Sequence, residues 1–302
     1  MAQVATGFQA AFQECFGAVL PGLPKRRGRG PRVPWDRVLP ALVFPVMNAA
    51  GTWGQHFVQL FEEPLADSSL SARRRRPPWE VFGELMRRGL RPLAQATPHP
   101  EAFWRSWRLV ARDGTPFSLT NTPQIKTPAR QAKSRRGRAA FAKIPTGVSL
   151  ELGLHHPLAA ALGRGGQSEG ALARELLAQL PARAWLPADR LHGGAAFVAA
   201  TQAACQKVGS HFLIRARTNI GVQTLQRFKD GSRRVRVPVR QKGQPRVMTH
   251  WLEVRKIRVR VQRPGYRARQ LRLWTSLLDP QSAPSPLWDK LYLPRLGGFD
   301  PP

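Results

Sequence analysis

The sequence predicts a mixed α+β fold, in which a helical amino-terminal region precedes a domain built on a mixed β-sheet. Up to about residue 105, apolar residues recur at the three- and four-residue steps of amphipathic helices. From Trp107 onward, several runs alternate apolar and polar residues, which is typical of strands. The first strands of this domain follow one another directly, whereas two helical segments separate the strands that come next. Strands joined through a helix can pair in parallel, so the sheet is expected to contain both parallel and antiparallel pairs.

The helical region is assigned to residues 1–105. Phe8, Phe12, Phe16 and Leu20 stand at four-residue steps and predict a first helix over 8–20. The Pro/Gly-rich segment 21–34 follows and is basic, with the consecutive cations Lys25, Arg26 and Arg27. It is interpreted either as an arm that follows phosphates or as a solvated loop.

Further helices are predicted from Trp35 to about Gly54, and over 57–95 as helix, turn, helix, break, helix. Ser68 and Ser69 are candidate N-caps for a helix over 70–76 that ends at Pro77 and Pro78. Its end carries the densest run of charge in the protein, which favours a surface that faces DNA over a solvated face. That run consists of Arg73, Arg74, Arg75 and Arg76.

The sheet domain is assigned to residues 106–217. RLVARDGTPFSL predicts a hairpin around its Asp-Gly pair, and 143–154 predicts a third strand. A helix capped by Ser168, a strand over 184–190, a helix over 195–209 and a strand over 211–217 complete it. Strand, strand, strand, helix, strand, helix, strand is the order of a ribonuclease H-like mixed sheet, in which the first and fourth strands are neighbours.

Two further regions follow the sheet domain. Residues 218–278 contain Val- and Arg-rich strand-like runs separated by Gly and Pro turns, and predict a β-rich insertion of three to five strands. Residues 279–302 lose periodicity after Tyr292 and are expected to form an irregular tail.

Charge restricts the function. The 302 residues contain 48 Lys+Arg against 18 Asp+Glu, a net charge of +30, and this points to a polyanionic partner. Cys15 and Cys205 have no further thiol or histidine at metal-ligand spacing, so neither a disulfide framework nor a zinc site is expected. The amino terminus lacks a basic leader and no apolar run reaches the ~18 residues of a membrane span, so neither secretion nor membrane insertion is expected.

Two aspartates are the candidate catalytic residues. Asp113 ends the first predicted strand and Asp189 ends the fourth, so their carboxylates are expected to meet. Such an oxygen-rich pair suits Mg²⁺, and two ions ~4 Å apart can activate the attacking oxygen and stabilise the leaving oxygen in phosphoryl transfer. Either aspartate alone would more simply be a turn or cap residue.

Other candidates carry less weight. The adjacent His155 and His156 fall in a predicted loop, and neighbouring residues on an extended chain point apart. Neither Ser149 nor Ser168 lies in a nucleophile elbow. The acids nearest the aspartates in sequence are better explained as solvated helix residues, or as a residue that favours a helix dipole in the case of Glu169. These acids are Glu151, Glu169 and Glu175.

Several motifs together resemble a known family. They are SSLSARRRRPPWEVF, RLVARDGTPFSLTNTP, GGQSEGALARELLAQLPARAWLPADRLHGG, HFLIRARTN and LWTSLLDP. Over roughly residues 30–295 the chain is similar to the DDE transposases of bacterial insertion sequences, in the branch called insertion-sequence family four. The resemblance implies that Asp113 and Asp189 are the first two metal-binding acids, with Mg²⁺ or Mn²⁺ as cofactor. It also implies binding of double-stranded DNA at terminal inverted repeats, a homodimer on those ends, and a cytoplasmic, nucleoid-associated protein without a membrane anchor.

The third acid of the family departs from this pattern. The family signature runs Tyr, two residues, Arg, three residues, Glu, six residues, Lys; Tyr292 and Arg295 match it, but the glutamate position holds Phe299. Asp300 is one residue out of register, and Pro294 would break a helix. The expectation is a truncated or frameshifted transposase that lacks the last catalytic helix and is inactive in this form. A catalytically dead DNA-binding remnant or regulator, and a basic RNA-binding protein, stay open as alternatives.

Overall fold

The chain divides into two compact units, Met1–Arg91 and Pro92–Pro302. The fold is described from a computed structural model over residues 2–17, 19, 33–120, 122, 133–134, 137–163, 167–241, 244–261 and 269–282. The boundaries expected at 105, 217 and 278 remain predictions. No helix among these described residues is long and apolar enough to cross a membrane.

The amino-terminal unit is helical, as the apolar spacing predicts. Its helices are α1 (Ala2–Phe16), α2 (Trp35–Met47), α3 (Trp53–Phe61), α4 (Asp67–Arg73) and α5 (Trp79–Gly89). A capping box between Thr52 and Gln55 starts α3. The unit's core is rich in phenylalanine, with Phe12 and Phe16 of α1, Phe44 of α2 and Phe57 of α3 all buried.

The N-cap prediction for the fourth helix is wrong. The helix begins at Asp67, so Ser68 and Ser69 lie inside its first turn, and Ala66 at the cap position makes no side-chain cap. The Asp67 carboxylate instead accepts the backbone N–H of Gly54 in the first turn of α3, at 2.5 Å. The acid at the start of α4 therefore satisfies a donor of α3, and the first turn of α4 itself receives no side-chain cap.

The second unit is built on one large mixed sheet of ten strands in its described residues. Its order is β6-β5-β2-β7-β8-β12-β11-β10-β9, with the short β1 paired to β2. The strands are β1 (Phe103–Trp104), β2 (Trp107–Ser118), β5 (Lys143–Glu151), β6 (His156–Leu162), β7 (Ala184–Ala188), β8 (His211–Arg215), β9 (Gln223–Arg227), β10 (Arg233–Gln241), β11 (Gln244–Val261) and β12 (Arg269–Thr275). A separate small sheet pairs β3 (Lys133–Ser134) with β4 (Gly137–Arg138).

The first predicted strand and the strand after the first sheet helix are neighbours, as the element order predicts. β7 lies parallel to β2, and β8 lies parallel to β7. The helices α6 (Glu169–Leu177) and α7 (Ala195–Lys207) connect these strands, and Ser168 caps α6 by accepting the N–H of Ala171. Both helices pack on the same face of the sheet, in an apolar cluster that includes Leu177, Val198 and Ile214.

The predicted hairpin at Asp113-Gly114 is wrong. β2 runs unbroken for 12 residues, and Asp113 and Gly114 sit within it, opposite Val148 and Gly147 of β5. Asp-Gly favours a turn locally, but pairing with β5 outweighs this preference and holds the strand extended from Val110 to Ser118. His156, expected in a loop, is the first residue of β6.

The Val- and Arg-rich strands continue this same sheet. β12 pairs antiparallel with β8, and β11, β10 and β9 follow outward, each antiparallel to its neighbour. On the face opposite to α6 and α7, a second apolar cluster contains Trp185, Leu213, Ile257 and Leu273. The sheet is therefore covered by buried side chains on both faces near its centre.

A buried ion pair anchors the outer strands. Arg255 of β11 is fully buried, and its guanidinium donates to the Asp230 carboxylate and to Ser232 Oγ, the latter at 2.8 Å. Burial acts to raise the pKa of Asp230, but hydrogen bonds from Ser232 and the charge of Arg255 outweigh it and lower the pKa. The turn between β9 and β10 is thereby held against β11.

We expect Asp230→Asn to lower the free energy of unfolding of the second unit by about 3 kcal/mol, because it leaves a buried guanidinium without its counter-charge. Chemical denaturation followed by tryptophan fluorescence measures this. Since the pKa of Asp230 is lowered by folding, the difference should be full above the unfolded-state value of ~3.9 and vanish as the pH falls through the folded-state value.

The matched control is Glu253→Gln, whose carboxylate pairs with the partly exposed Arg234 and Arg236 on the same sheet. That exposed network should contribute about 1 kcal/mol or less. Equal losses in the two variants would contradict the assignment of Arg255 and Asp230 as the anchoring pair.

Candidate active site

The register of the sheet puts the two candidate aspartates at one level. β2 and β7 pair through Arg108 with Ala184 and Leu109 with Trp185. Asp113 lies four residues beyond Leu109, and Asp189 lies four residues beyond Trp185. Because the two strands run in the same direction and rise equally per residue, both aspartates stand at the same edge of the sheet.

Asp113 marks the point where β2 leaves the core. Leu109 to Arg112 are buried, and the strand is partly or fully exposed from Asp113 onward. Its Oδ1 accepts the backbone N–H of the next residue, Gly114, at 2.8 Å.

Asp189 is held by the turn that follows β7. Its Oδ1 accepts the N–H of Leu191 and bonds His192 Nδ1, each at 3.0 Å, in a short 3-10 helix over Arg190–His192. Burial acts to raise the pKa of Asp189, but the hydrogen bond and charge of His192 and the backbone N–H groups outweigh it and lower the pKa. The carboxylate is therefore ionised at neutral pH and fixed in orientation.

The sequence pattern does not identify His192, although it stands three residues after Asp189. It is 5% exposed, and its ring packs against Phe197 with centroids 4.9 Å apart. The following Gly193 lies where an added Cβ would come within 2.1 Å of the Arg215 carbonyl. A glycine is needed there because the loop passes directly against β8.

Glu169 is a third acid at the site. A Cβ on Gly114 would come within 2.7 Å of the Glu169 carboxyl carbon, so the missing side chain in β2 leaves room for this acid. Burial raises the pKa of Glu169, the charges of Asp189 and Asp113 raise it further, and that of His192 lowers it. The sequence suggests only a helix-dipole role, and the Gly after Asp113 is the signal that could indicate the close approach.

A basic cleft of about 940 Å³ opens beside His192. Its walls include Arg174 of α6, Arg217 after β8 and Arg240 of β10, together with Trp251 of β11. Arg217 donates to the Leu191 carbonyl at 2.9 Å, which ties the cleft wall to the Asp189 turn. Trp251 is 43% exposed. Cations and an exposed aromatic ring are the side chains that a nucleic acid strand contacts.

The four-arginine run lies in the other unit. Arg73 ends α4, and Arg74, Arg75 and Arg76 are exposed in the turn after it. None of the four belongs to an ion pair among the described residues.

The remaining candidate residues have structural roles or lie outside the described residues. Ser149 Oγ is bonded by Arg112 and Ser168 caps α6, so both have structural roles. Glu151 is buried and pairs with Arg108. The positions of Lys25, Arg26, Arg27, Tyr292, Arg295, Phe299 and Asp300 lie outside the described residues. Within the part of the chain that the structure describes, no three His, Cys, Asp or Glu side chains are close enough to hold a metal ion together.

Structural comparison finds similarity to solved structures that include two transposases. A cryo-EM structure of the piggyBac transposase synaptic complex with hairpin DNA aligns with 90% of this chain at 11% identity and a TM-score of 0.40. The Mos1 transposase paired-end complex with the left transposon end aligns with 63% of it, at 14% identity and a TM-score of 0.24. The aligned part is 61% of the length of each of those chains.

No protein-family model matches the sequence. No curated protein matches it either.

We expect Glu169→Gln to raise the melting temperature at pH 7 in metal-free buffer, by a small amount on the order of 1 °C. Its pKa is raised in the folded state, so ionisation of Glu169 costs stability as the pH rises through that value. The gain should disappear below the unfolded-state pKa of ~4.3. Differential scanning fluorimetry across pH measures it.

Glu175→Gln is the matched control, because Glu175 lies exposed on the same helix. An equal gain in both variants would show that the effect comes from net charge rather than from the neighbouring aspartates.

Proposed function

We propose that this chain is a DDE-type DNA transposase of the bacterial insertion-sequence family that its motifs resemble, with a ribonuclease H-like catalytic sheet. It binds the terminal inverted repeats of its element as a homodimer in the bacterial cytoplasm. Asp113 and Asp189 form the site at which such an enzyme carries out metal-dependent strand cleavage and transfer, and with Phe299 at the position of the third acid we expect this chain to be inactive.

The equal offset of Asp113 and Asp189 from the β2–β7 pairing carries this proposal. Two acids on neighbouring parallel strands, at one level and at one sheet edge, match the oxygen ligands that divalent ions take in phosphoryl transfer. A structural role for both would not require this coincidence of register. The adjoining cleft with Arg174, Arg217 and Arg240 supplies cations for the DNA strand.

The donor set fits Mg²⁺ or Mn²⁺. Mg²⁺ keeps several waters and commonly takes one or two protein carboxylates together with substrate phosphate, so a cage of three protein ligands is not required. Asp113 and Asp189 would hold the ion, and Glu169 lies close by against Gly114. When bound, such an ion lowers the pKa of a water or hydroxyl nucleophile and neutralises charge on the phosphate.

Neighbouring residues hold the Asp189 carboxylate and the turn after it in place. His192 fixes the Asp189 carboxylate and is itself fixed by Phe197. Arg217 keeps the turn after Asp189 against the cleft wall, where its charge attracts phosphate. Gly114 leaves the space beside Asp113 open to a carboxylate rather than filling it with a side chain.

A second candidate is a DNA-binding protein of the same descent that no longer cuts DNA. One observation favours it: Phe299 occupies the family's glutamate position. Removing one electrostatic stabiliser of the leaving oxygen costs on the order of 10²–10³ in rate.

We expect the protein to bind Mn²⁺ through the aspartate pair. Isothermal titration of Mn²⁺ into the metal-free protein should show an affinity that falls at least about tenfold in Asp113→Asn and in Asp189→Asn, since each removes a charged ligand. Glu175→Gln, on the exposed face of α6, should leave it unchanged. Equal affinity in all four proteins would contradict a metal site at this edge.

A nicking assay on DNA that carries the element's own ends then separates the two candidates. With Phe299 in place of the acid, we expect no Mn²⁺-dependent nicking above that of Asp113→Asn. Nicking that Asp113→Asn abolishes would favour the active transposase and would assign the third carboxylate to another residue.

We expect DNA binding to be steeply salt-dependent, with a log-log slope of about −0.9 for each phosphate that the protein neutralises. Replacing Arg73–Arg76 by Ala should make the slope shallower by about 0.9 for each phosphate that is no longer neutralised, without changing sequence preference. Fluorescence anisotropy of a labelled duplex between low and moderate salt measures both. Unchanged affinity and slope would identify this run as a solvated surface.

A further inference from the structure

The ribbon formed by β11 and β12 has two contrasting faces. Its pairing places Ile257 opposite Leu273 and Val259 opposite Leu271, and all four are buried in the apolar cluster on one face. Residues that alternate with these point to the other face. There the pairing sets Arg258 opposite Arg272, while Lys256 pairs with Arg233 of β10. We call these four cations the basic ribbon face.

The basic ribbon face has no acidic ion-pair partner among the residues that the structure describes. Of the ion pairs formed by described residues, none involves Arg233, Lys256, Arg258 or Arg272. Arg272 donates to the Thr218 carbonyl at 3.3 Å, and because a carbonyl carries no net charge, this bond does not neutralise the guanidinium. Burial lowers the pKa of Lys256, and the charges of Arg272, Arg258 and Arg233 lower it further.

The opposite face of the same strands is neutralised. Arg234 and Arg236 both donate to the Glu253 carboxylate, at 2.6 and 3.1 Å, and Arg255 pairs with Asp230. Like charges directly opposite each other destabilise a sheet. In the described part of the chain, Glu253 and Asp230 therefore offset cations of one face of these strands, whereas the four cations of the basic ribbon face form no ion pair.

The basic ribbon face also stands at the active-site edge of the sheet. β7 and β8 run parallel and end at this edge, and β12 is antiparallel to β8, so β12 begins there. Ala216 donates to the Arg272 carbonyl at 2.8 Å, and Arg217 donates to the Gly193 carbonyl at 3.3 Å. Two consecutive backbone hydrogen bonds thus connect Arg272 to the loop after Asp189.

We propose that the basic ribbon face binds the backbone phosphates of double-stranded DNA flanking the Asp113 and Asp189 site, an inference that rests on the proposed function. Along one strand its cations recur every ~6.8 Å, and across the pair their Cβ atoms lie ~5 Å apart. This gives a rigid group of charges that contacts phosphates without reading sequence. Bound phosphate relieves the repulsion among the four cations.

The test compares two double variants of the full chain. Arg258→Ala/Arg272→Ala removes two charges from the basic ribbon face, and Arg234→Ala/Arg236→Ala removes two from the neutralised face of the same sheet. Anisotropy of a 30-base-pair duplex across a salt series should show about tenfold weaker binding and a slope about 1.8 shallower for the first variant. The second variant should differ from the wild type by less than about twofold, because its charges are already compensated by Glu253.

Melting temperatures and circular dichroism establish that both variants are folded. Lys256→Gln, which removes one charge from a partly buried side chain, gives an additional variant with an expected slope about 0.9 shallower.

Several outcomes overturn the inference. Equal weakening by both double variants would show that only net charge matters. Unchanged duplex binding in the first variant, with loss of binding in the Arg73–Arg76 variant, would confine DNA to the helical unit while leaving the proposed function standing. If the first variant bound single-stranded RNA more weakly than the wild type but bound duplex DNA equally well, the face would be an RNA-binding surface. Failure of the wild-type protein to bind duplex DNA would instead contradict the proposed function itself.

Discussion

The parallel pairing of β2 with β7 is the constraint on which the second unit depends. It joins the antiparallel group β6-β5-β2 to the rest of the sheet, whose strands lie in the order β7-β8-β12-β11-β10-β9. A central parallel strand must be covered on both faces, and every residue of the AWLPA strand is buried. The same pairing sets the level of Asp113 and Asp189, so the packing of the core and the geometry of the candidate active site have one common cause.

Two arginines hold β2 in place, one near each end of its buried segment. Arg108 pairs with the fully buried Glu151, whose carboxylate also accepts the N–H of Ala94 at 2.9 Å. Arg112 donates to Ser149 Oγ and to the Leu176 carbonyl near the end of α6. Burial lowers the pKa of Arg112 to about 10, which leaves it charged at neutral pH.

Helix α6 therefore has opposite charges at its two ends. Arg112 lies at its carboxyl end, where a cation favours the helix dipole, and Glu169 lies in its first turn, where an anion does. Between these two residues the helix lies over Gly114 and Gly147, two glycines that face each other across β2 and β5 and admit the close approach of Glu169 and Leu172. The position of Glu169 is thus set by requirements of packing.

The net charge of +30 does not measure DNA contacts directly. Arg108, Arg112 and Arg255 bond to partners within the fold, and Arg234 and Arg236 share a carboxylate. The cations of the Arg73–Arg76 run and of the basic ribbon face belong to no ion pair among the residues that the structure describes, so their charge is not offset by a carboxylate there. Their positions, more than their number, indicate where a phosphate backbone can lie.

The sequence by itself determined the helical character of the amino-terminal unit, the alternation of helices and strands after Ser168 and the cap at that serine, because periodicity and capping are local properties. It also singled out the two aspartates as candidates from their places at strand ends. Only the tertiary structure decided that Asp113-Gly114 is strand rather than turn, since a ladder with β5 outweighs a local preference. It also placed Glu169 beside Gly114 and His192 against Asp189, and it divided the arginines of β10, β11 and β12 between a neutralised and an uncompensated face. These features depend on register and on contacts between residues far apart in the chain, which no local pattern records.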